Sequence, residues 1–244
     1  MSIDVRVVPS AAFGSAALDA LVELCKPFAS PAVGLATGST PIPLYEALRD
    51  APAHAKVEAM RPFAIDEWGG PADHPCSNAT FFRRYWDVIP GARPVVQFDA
   101  AAPDPEQEAI RFGKALAATG GLDVVVLGIG RNGHLAFNEP GTSRTASVRW
   151  TALAATTRAS ARACFGDDAP AHGLTLGLAE LLGARSALLL ASGAHKASIV
   201  ARALEGEIGP ECPASFLREH PRAIVLLDQE AAAQLRPGGS LRRS

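Results

Sequence analysis

Short apolar runs alternate with amphipathic stretches along most of the chain. The runs Ile3–Val8, Ala32–Ala36, Pro62–Ile65, Val95–Phe98, Leu122–Leu127, Ser186–Ala191 and Ala223–Leu227 predict strands. Several are apolar at consecutive positions, as in Val124, Val125, Val126 and Leu127, or Leu188, Leu189 and Leu190. Unbroken apolarity suits strands covered on both faces, the environment of a parallel sheet. Between them, helical patterning predicts helices over Ala11–Lys26, Pro41–Arg49, Asn78–Trp86, Pro105–Ala118, Ala171–Leu182, His195–Leu204 and Gln229–Leu235. This alternation predicts an α/β fold, a doubly wound, mostly parallel sheet with helices on both faces in the Rossmann-like manner. No repeat or long linker divides the chain, so residues 1–235 read as one domain. Residues 236–244, with Pro237, Gly238 and Gly239, read as a disordered tail.

In an open α/β sheet the ligand crevice lies beyond the carboxyl ends of the strands. Three loops there carry candidate chemistry. Thr37-Gly38-Ser39-Thr40-Pro41 follows the second strand. Gly38 permits a positive φ, Pro41 suits a first helical turn, and free N–H groups at a helix start cradle phosphate. The same Ser and Thr would also serve an ordinary N-capped helix, so two readings stand. Ala64-Ile65-Asp66-Glu67-Trp68 places adjacent carboxylates at another strand end. Neighbours on an extended segment point to opposite sides, so one carboxylate can face the crevice as a general base, unless the pair only caps a helix or lies on the surface. The third loop runs from Gly128 to Gly141 and contains G-x-G-x-x-G at Gly128, Gly130 and Gly133. A dinucleotide site would need a following helix and an acidic residue about 20 positions on. Asn138 and Pro140-Gly141 interrupt such a helix, and Trp150–Thr157 holds no carboxylate. His134 and Glu139 on this loop instead form a candidate proton-relay pair.

Composition and charge narrow the partners. The chain has 244 residues and a formal charge of −2, which gives no broad field for nucleic acid or an anionic membrane. An anionic substrate therefore needs a local positive site. Cys25, Cys76, Cys164 and Cys212 lie far apart with no C-x-x-C, which predicts reduced, mostly buried thiols. The six histidines show no paired metal-ligand spacing, so no metal is expected. The N-terminus lacks the basic-then-apolar layout of a signal peptide, and no apolar run approaches the ~20 residues of a membrane span. A cytoplasmic protein, monomeric or homo-oligomeric, is the expectation.

The sequence resembles the glucosamine-6-phosphate deaminase family, which is related to 6-phosphogluconolactonase. The match is carried by Gly128-Ile129-Gly130 and Asn132-Gly133-His134-Leu135-Ala136-Phe137-Asn138-Glu139-Pro140-Gly141. Ala36–Pro41, Ile65–Trp68, His74-Pro75, Leu174–Gly177, Ser192-Gly193 with Lys196-Ala197, and Pro213–Ser215 support it in the same order. The resemblance implies conversion of glucosamine 6-phosphate and water to fructose 6-phosphate and ammonia, with no metal or organic cofactor. It implies that His134 opens the pyranose ring, that Asp66 moves the C2 proton to C1, and that Glu139 orients His134. Thr37, Gly38, Ser39, Thr40 and Lys196 would hold the phosphate.

The chain also departs from the family pattern. Asn132 stands where some members carry Asp, so a relay here is confined to His134 and Glu139. An ungapped match puts Ala163 at the lid arginine that reaches phosphate; Arg162 fits with a one-residue slip, and Arg158 is nearby. Trp68 replaces a more usual Tyr, and the segment around Cys76-Ser77-Asn78 drifts, which leaves galactosamine 6-phosphate open as the substrate. Arg149-Trp150-Thr151 lacks the Lys of an allosteric Arg-x-Lys pair, so no such activation is predicted. The lactonase rival typically continues after its His with Thr-Ala-Ser-type residues, where this chain brings Glu139. A non-catalytic sugar-phosphate-sensing domain would normally append a helix-turn-helix, and here the first strand begins at Ile3.

Overall fold

Seven strands pair into the central sheet of the computed structural model, which describes residues 3–236 and 242–243. β1 (Asp4–Val8) leads through α1 (Phe13–Cys25) to β2 (Ala32–Leu35). α2 (Ile42–Asp50) and α3 (Pro52–Ala55) then carry the chain to β3 (Arg61–Ala64). β4 (Asp66–Trp68), α4 (Asn78–Tyr85) and α5 (Pro105–Ala117) precede β5 (Val124–Gly128). β6 (Arg149–Ala152), α6 (Ala155–Phe165), β7 (His172–Thr175) and α7 (Leu178–Leu182) follow. β8 (Ser186–Ala191), α8 (Ala197–Glu205), β9 (Ala223–Asp228) and β10 (Arg242–Arg243) complete the chain.

The sheet order is β10-β1-β9-β8-β5-β2-β3, and every pair in it is parallel. The chain moves outward from β2 to β3, then returns to the other side of β2 at β5 and continues through β8 and β9. The winding therefore reverses between β2 and β5, the place where open sheets of this kind receive a ligand at the carboxyl ends. The loops after β3, β2, β5 and β8 occupy one edge of the sheet, spread over about 14 Å at ~4.8 Å per strand. Val124 to Leu127 of β5 and all six residues of β8 and of β9 are buried, in keeping with apolar runs interrupted only by Ser186 and Asp228 at strand ends. Each such Val or Leu contributes about 1.5–3 kcal/mol by leaving water. Phe112 of α5 stacks on Phe98 at 3.7 Å and meets Phe63 of β3 edge-on, closing one face.

A second, antiparallel sheet, β4-β7-β6, was not predicted. It overturns the helix expected over Ala171–Leu182: His172–Thr175 pairs with β4 on one side and β6 on the other, and only Leu178–Leu182 is helical. The strand expected at Val95–Phe98 reduces to one bridge, Val96 to Phe63. Gln229–Leu235 forms successive turns instead of a helix. α6 was not anticipated either. Of the tail expected to be disordered, residues 237–241 and 244 lie outside the described residues, while Arg242–Arg243 pairs with Asp4 and Val5.

The expectation of four reduced thiols is corrected. Cys76 and Cys164 form a disulfide across 88 residues with a Cα–Cα distance of 6.0 Å, and only Cys25 and Cys212 are free and buried. The partners meet because α6 lies over the loop that precedes α4, a proximity no sequence spacing announces. Among the described residues no helix is long and apolar enough to cross a membrane.

Candidate active site

Asp66 and Glu67 begin β4, directly beyond the end of β3, and point apart as extended neighbours must. Glu67 turns to the start of α4. Its Oε1 accepts from Asn78 N (2.8 Å) and Trp68 N (2.9 Å), and its Oε2 accepts from Ala79 N (2.7 Å). It thus satisfies helix-terminal donors that have no intrahelical partner. Asp66 is 9% exposed and receives Asn78 Nδ2 on its Oδ1 at 2.6 Å. Burial and the neighbouring Glu67 push its carboxyl up to about 7, against the opposing Asn78 bond. The Tyr45 phenol is also raised, by burial and by the Asp66 charge nearby.

The β5 loop carries the second group. His134 Nδ1 lies 3.2 Å from Glu139 Oε2. Burial alone would raise Glu139, but His134, Thr157 and Asn132 hold it down at about 2, so it stays ionised at any working pH. A permanent carboxylate beside Nδ1 keeps the proton on that nitrogen and leaves Nε2 to exchange a proton with a ligand. Asn132 donates through Nδ2 to Glu139 Oε2 (2.8 Å) and to Thr156 Oγ1 (3.1 Å), and its Oδ1 accepts from His134 N (3.2 Å). Ala154 N donates to Glu139 Oε1, and the Thr157 hydroxyl lies 3.3 Å from His134 Nδ1. The start of α6 therefore rests on the imidazole–carboxylate pair. Gly130 is required by close approach, since a Cβ there would overlap the His134 ring. Gly130→Ala is expected to displace the imidazole and cut kcat at least tenfold with little change in the far-UV spectrum; steady-state kinetics beside circular dichroism check it.

The two clusters are joined through β7. Thr175 pairs with Asp66 in register, and its hydroxyl accepts from Phe137 N at 3.1 Å. Trp68 packs on Phe137 with ring centroids 4.7 Å apart.

At the β2 loop, α2 is preceded by Pro41 and no side chain caps it. That removes the simple N-cap reading of Ser39 and Thr40. Gly38 takes φ +91° with open space beside it, and the N–H groups of Gly38, Ser39 and Thr40 have no hydrogen-bond partner among the described residues. The Thr37 hydroxyl instead donates to Asn78 Oδ1 at 2.8 Å. Lys196, just beyond β8, donates to Ile129 O at 2.6 Å, and burial together with the nearby Arg131 charge lowers its pKa. Arg158 and Arg162 are both exposed on α6 and form no hydrogen bond or ion pair with these loops among the described residues. Asn78, Thr157 and Arg131 were not singled out as site residues from sequence. Ser77-Asn78 was visible only as a stretch of drift. Among the described residues no cluster of three or more His, Cys, Asp or Glu could hold a metal ion.

Residues 10–226 match the family model for glucosamine-6-phosphate isomerases/6-phosphogluconolactonase. The chain is 38% identical to glucosamine-6-phosphate deaminase of Beutenbergia cavernae, over 96% of this chain and 93% of that one. It shares the same identity and coverage with the deaminase of Streptomyces avermitilis. A solved monomeric glucosamine-6-phosphate deaminase superposes with a TM-score of 0.89 at 30% identity, covering 95% of this chain and 99% of the other. The 6-phosphogluconolactonase of Trypanosoma brucei superposes with a TM-score of 0.76 at 26% identity, over 96% and 99%.

Proposed function

The chain belongs to the glucosamine-6-phosphate isomerase/6-phosphogluconolactonase family, and on that premise we propose that it converts glucosamine 6-phosphate and water to fructose 6-phosphate and ammonia. The observation that carries this reading is a buried carboxyl at Asp66, beyond β3, together with an imidazole at His134, beyond β5, held 3.2 Å from Glu139. Isomerisation followed by deamination needs both groups, one at carbon and one at oxygen.

The phosphate is held by the N–H groups of Gly38, Ser39 and Thr40, with Lys196 and the lid arginine Arg162 adding positive charge. His134 Nε2 takes the anomeric hydroxyl proton and returns it to the ring oxygen, which opens the ring. Asp66 then takes the C2 proton while O1 gains one from the ammonium form of the 2-amino group, giving an enolamine, and Asp66 delivers its proton to C1. Water adds to the resulting C2 imine, and ammonia leaves with the C2–N bond while a ketone forms. Glu139 and Asn132 keep the imidazole in the required tautomer and orientation. Each positioned acid–base group contributes roughly 10²–10⁴-fold.

Lactone hydrolysis needs an activated water but no base at C2. The buried Asp66 favours the deaminase. A coupled ammonia assay on glucosamine 6-phosphate and galactosamine 6-phosphate, run beside a hydrolysis assay on 6-phosphogluconolactone, tests this directly. Ammonia release from glucosamine 6-phosphate is expected; turnover of the lactone alone would overturn the reading. kcat/KM is also expected to rise with pH through one acidic limb near pH 7, because Asp66 must lose its proton while Glu139 is already ionised. A flat profile from pH 5.5 to 8.5 contradicts that assignment. A phosphorylated sugar is an anion that does not cross a bilayer unaided, which supports the cytoplasm as the place of action.

A further inference from the structure

We propose that Asn78 is a positioning residue that ties the Thr37–Thr40 loop to the Asp66 carboxylate and fixes which oxygen of Asp66 meets the substrate. The proposal rests on Asp66 being the carbon base of the reading above. Asn78 is 4% exposed and spends its whole amide. Nδ2 donates to Asp66 Oδ1 (2.6 Å) and to Asp66 O (2.9 Å), while Oδ1 accepts from Thr37 Oγ1 (2.8 Å). Its main-chain N–H is held by Glu67 Oε1. A base that lifts a proton from C2 and returns it to C1 must hold one oxygen over both carbons. With Oδ1 committed to Asn78, Oδ2 is the atom left for transfer.

The same bond favours the ionised carboxylate against burial and Glu67. The other groups facing Asp66 are the Tyr45 phenol on α2 and the uncharged Thr175 on β7. Asn78→Leu is expected to move the acidic limb of kcat/KM to higher pH by about one unit, so that activity falls about tenfold at pH 6.5 and less than threefold at pH 9. Thr37→Val should shift it in the same direction by less. An acidic limb that does not move, whatever the loss of activity at pH 9, overturns the proposal. Carboxyl ¹³C titration of Asp66 in the ligand-free protein reads the same shift without any substrate, so a failed deaminase assay and a failed role for Asn78 remain distinguishable.

The Cys76–Cys164 disulfide stands apart from that hydrogen-bond chain. We infer that it is a redox clasp on α6. The start of α6 rests on His134, Asn132 and Glu139, as described above. Its end is fastened to the other wall by Cys164 to Cys76, with Phe165 stacked on His74 at 4.4 Å and beside Trp68 at 5.5 Å. α6 thus bridges both walls of the crevice. Only Thr157 and Ala161 of its eleven residues are buried, so once the clasp is open its far end is held chiefly by the Phe165 ring contacts with His74 and Trp68. Cys164 is exposed, within reach of an external thiol. An external dithiol supplies two electrons and two protons, leaves as its own disulfide, and converts the pair to two thiols. Reduction frees α6 and speeds exchange of substrate and product.

Protein oxidised with diamide is expected to show kcat/KM at least threefold below that of the reduced protein, and dithiothreitol should restore it. Cys164→Ser should match the reduced protein and ignore both reagents. Equal activity in both redox states, a Cys164→Ser variant that still responds, or a peptide map lacking the 76–164 link after oxidation each overturns the inference.

Discussion

Asp66→Asn is expected to lose C2-proton exchange by two orders of magnitude or more while leaving a protein that is more stable at pH 8. The first effect follows from removing the proposed carbon base, since the neighbouring carboxylate Glu67 is turned onto the start of α4. The second follows from the same burial. The native carboxyl is pushed up from 3.8 to about 7, so the folded state holds a proton that the unfolded state has released. Between about pH 4 and 7 the folded state therefore binds more protons, and stability falls as pH rises; above about 7 the cost is constant. Some three pKa units at 1.36 kcal/mol each put that cost at about 4 kcal/mol, an upper bound on what Asn recovers. Urea unfolding at pH 4 and pH 8 separates the effects: a gain at pH 8 that vanishes at pH 4 is expected. Solvent-deuterium incorporation at an unchanged rate would remove Asp66 from its role, whatever the stability does.

A stability gain from losing a buried acid is what a site under selection for chemistry is expected to show. The central strands announced themselves because both faces are covered, so Val124 to Leu127 and Leu188 to Leu190 are apolar without a break. β4, β6 and β7 did not. They are three or four residues long, carry Asp66, Glu67, Arg149 and His172, and are strands only because they pair with each other. Leu174–Leu182 carries a helical apolar spacing that pairing overrides as far as Thr175. α6 was missed because its Ala, Thr and Arg residues present almost no buried stripe. At the site, His134 and Glu139 were readable from one glycine-supported loop, whereas Asn78 acquires its place through contacts with residues 12 and 41 positions away.

His134→Gln and Glu139→Gln are each expected to lower kcat by roughly 10²–10⁴, and the double variant is expected to be no worse than His134→Gln alone. In the proposed reaction Glu139 serves the chemistry through the imidazole: its Oε2 meets Nδ1 and its charge sets the tautomer. Once the ring is gone, the carboxylate has nothing to orient. Non-additivity is thus the signature of a unit. Additive losses in the double-variant cycle would mean that Glu139 touches the substrate independently and that its assignment here is wrong.

The account depends on Asp66 and the His134–Glu139 pair, held by loops from β3 and β5 either side of β2, reaching one molecule at the same time. A crystal structure with the open-chain analogue 2-amino-2-deoxyglucitol 6-phosphate measures this most directly. The expected result is one ligand with its phosphate on the Gly38–Thr40 amides, Asp66 Oδ2 over C1 and C2, and His134 Nε2 within hydrogen-bond reach of O1 or O5. An analogue bound with either Asp66 or His134 facing a separate cavity would contradict it.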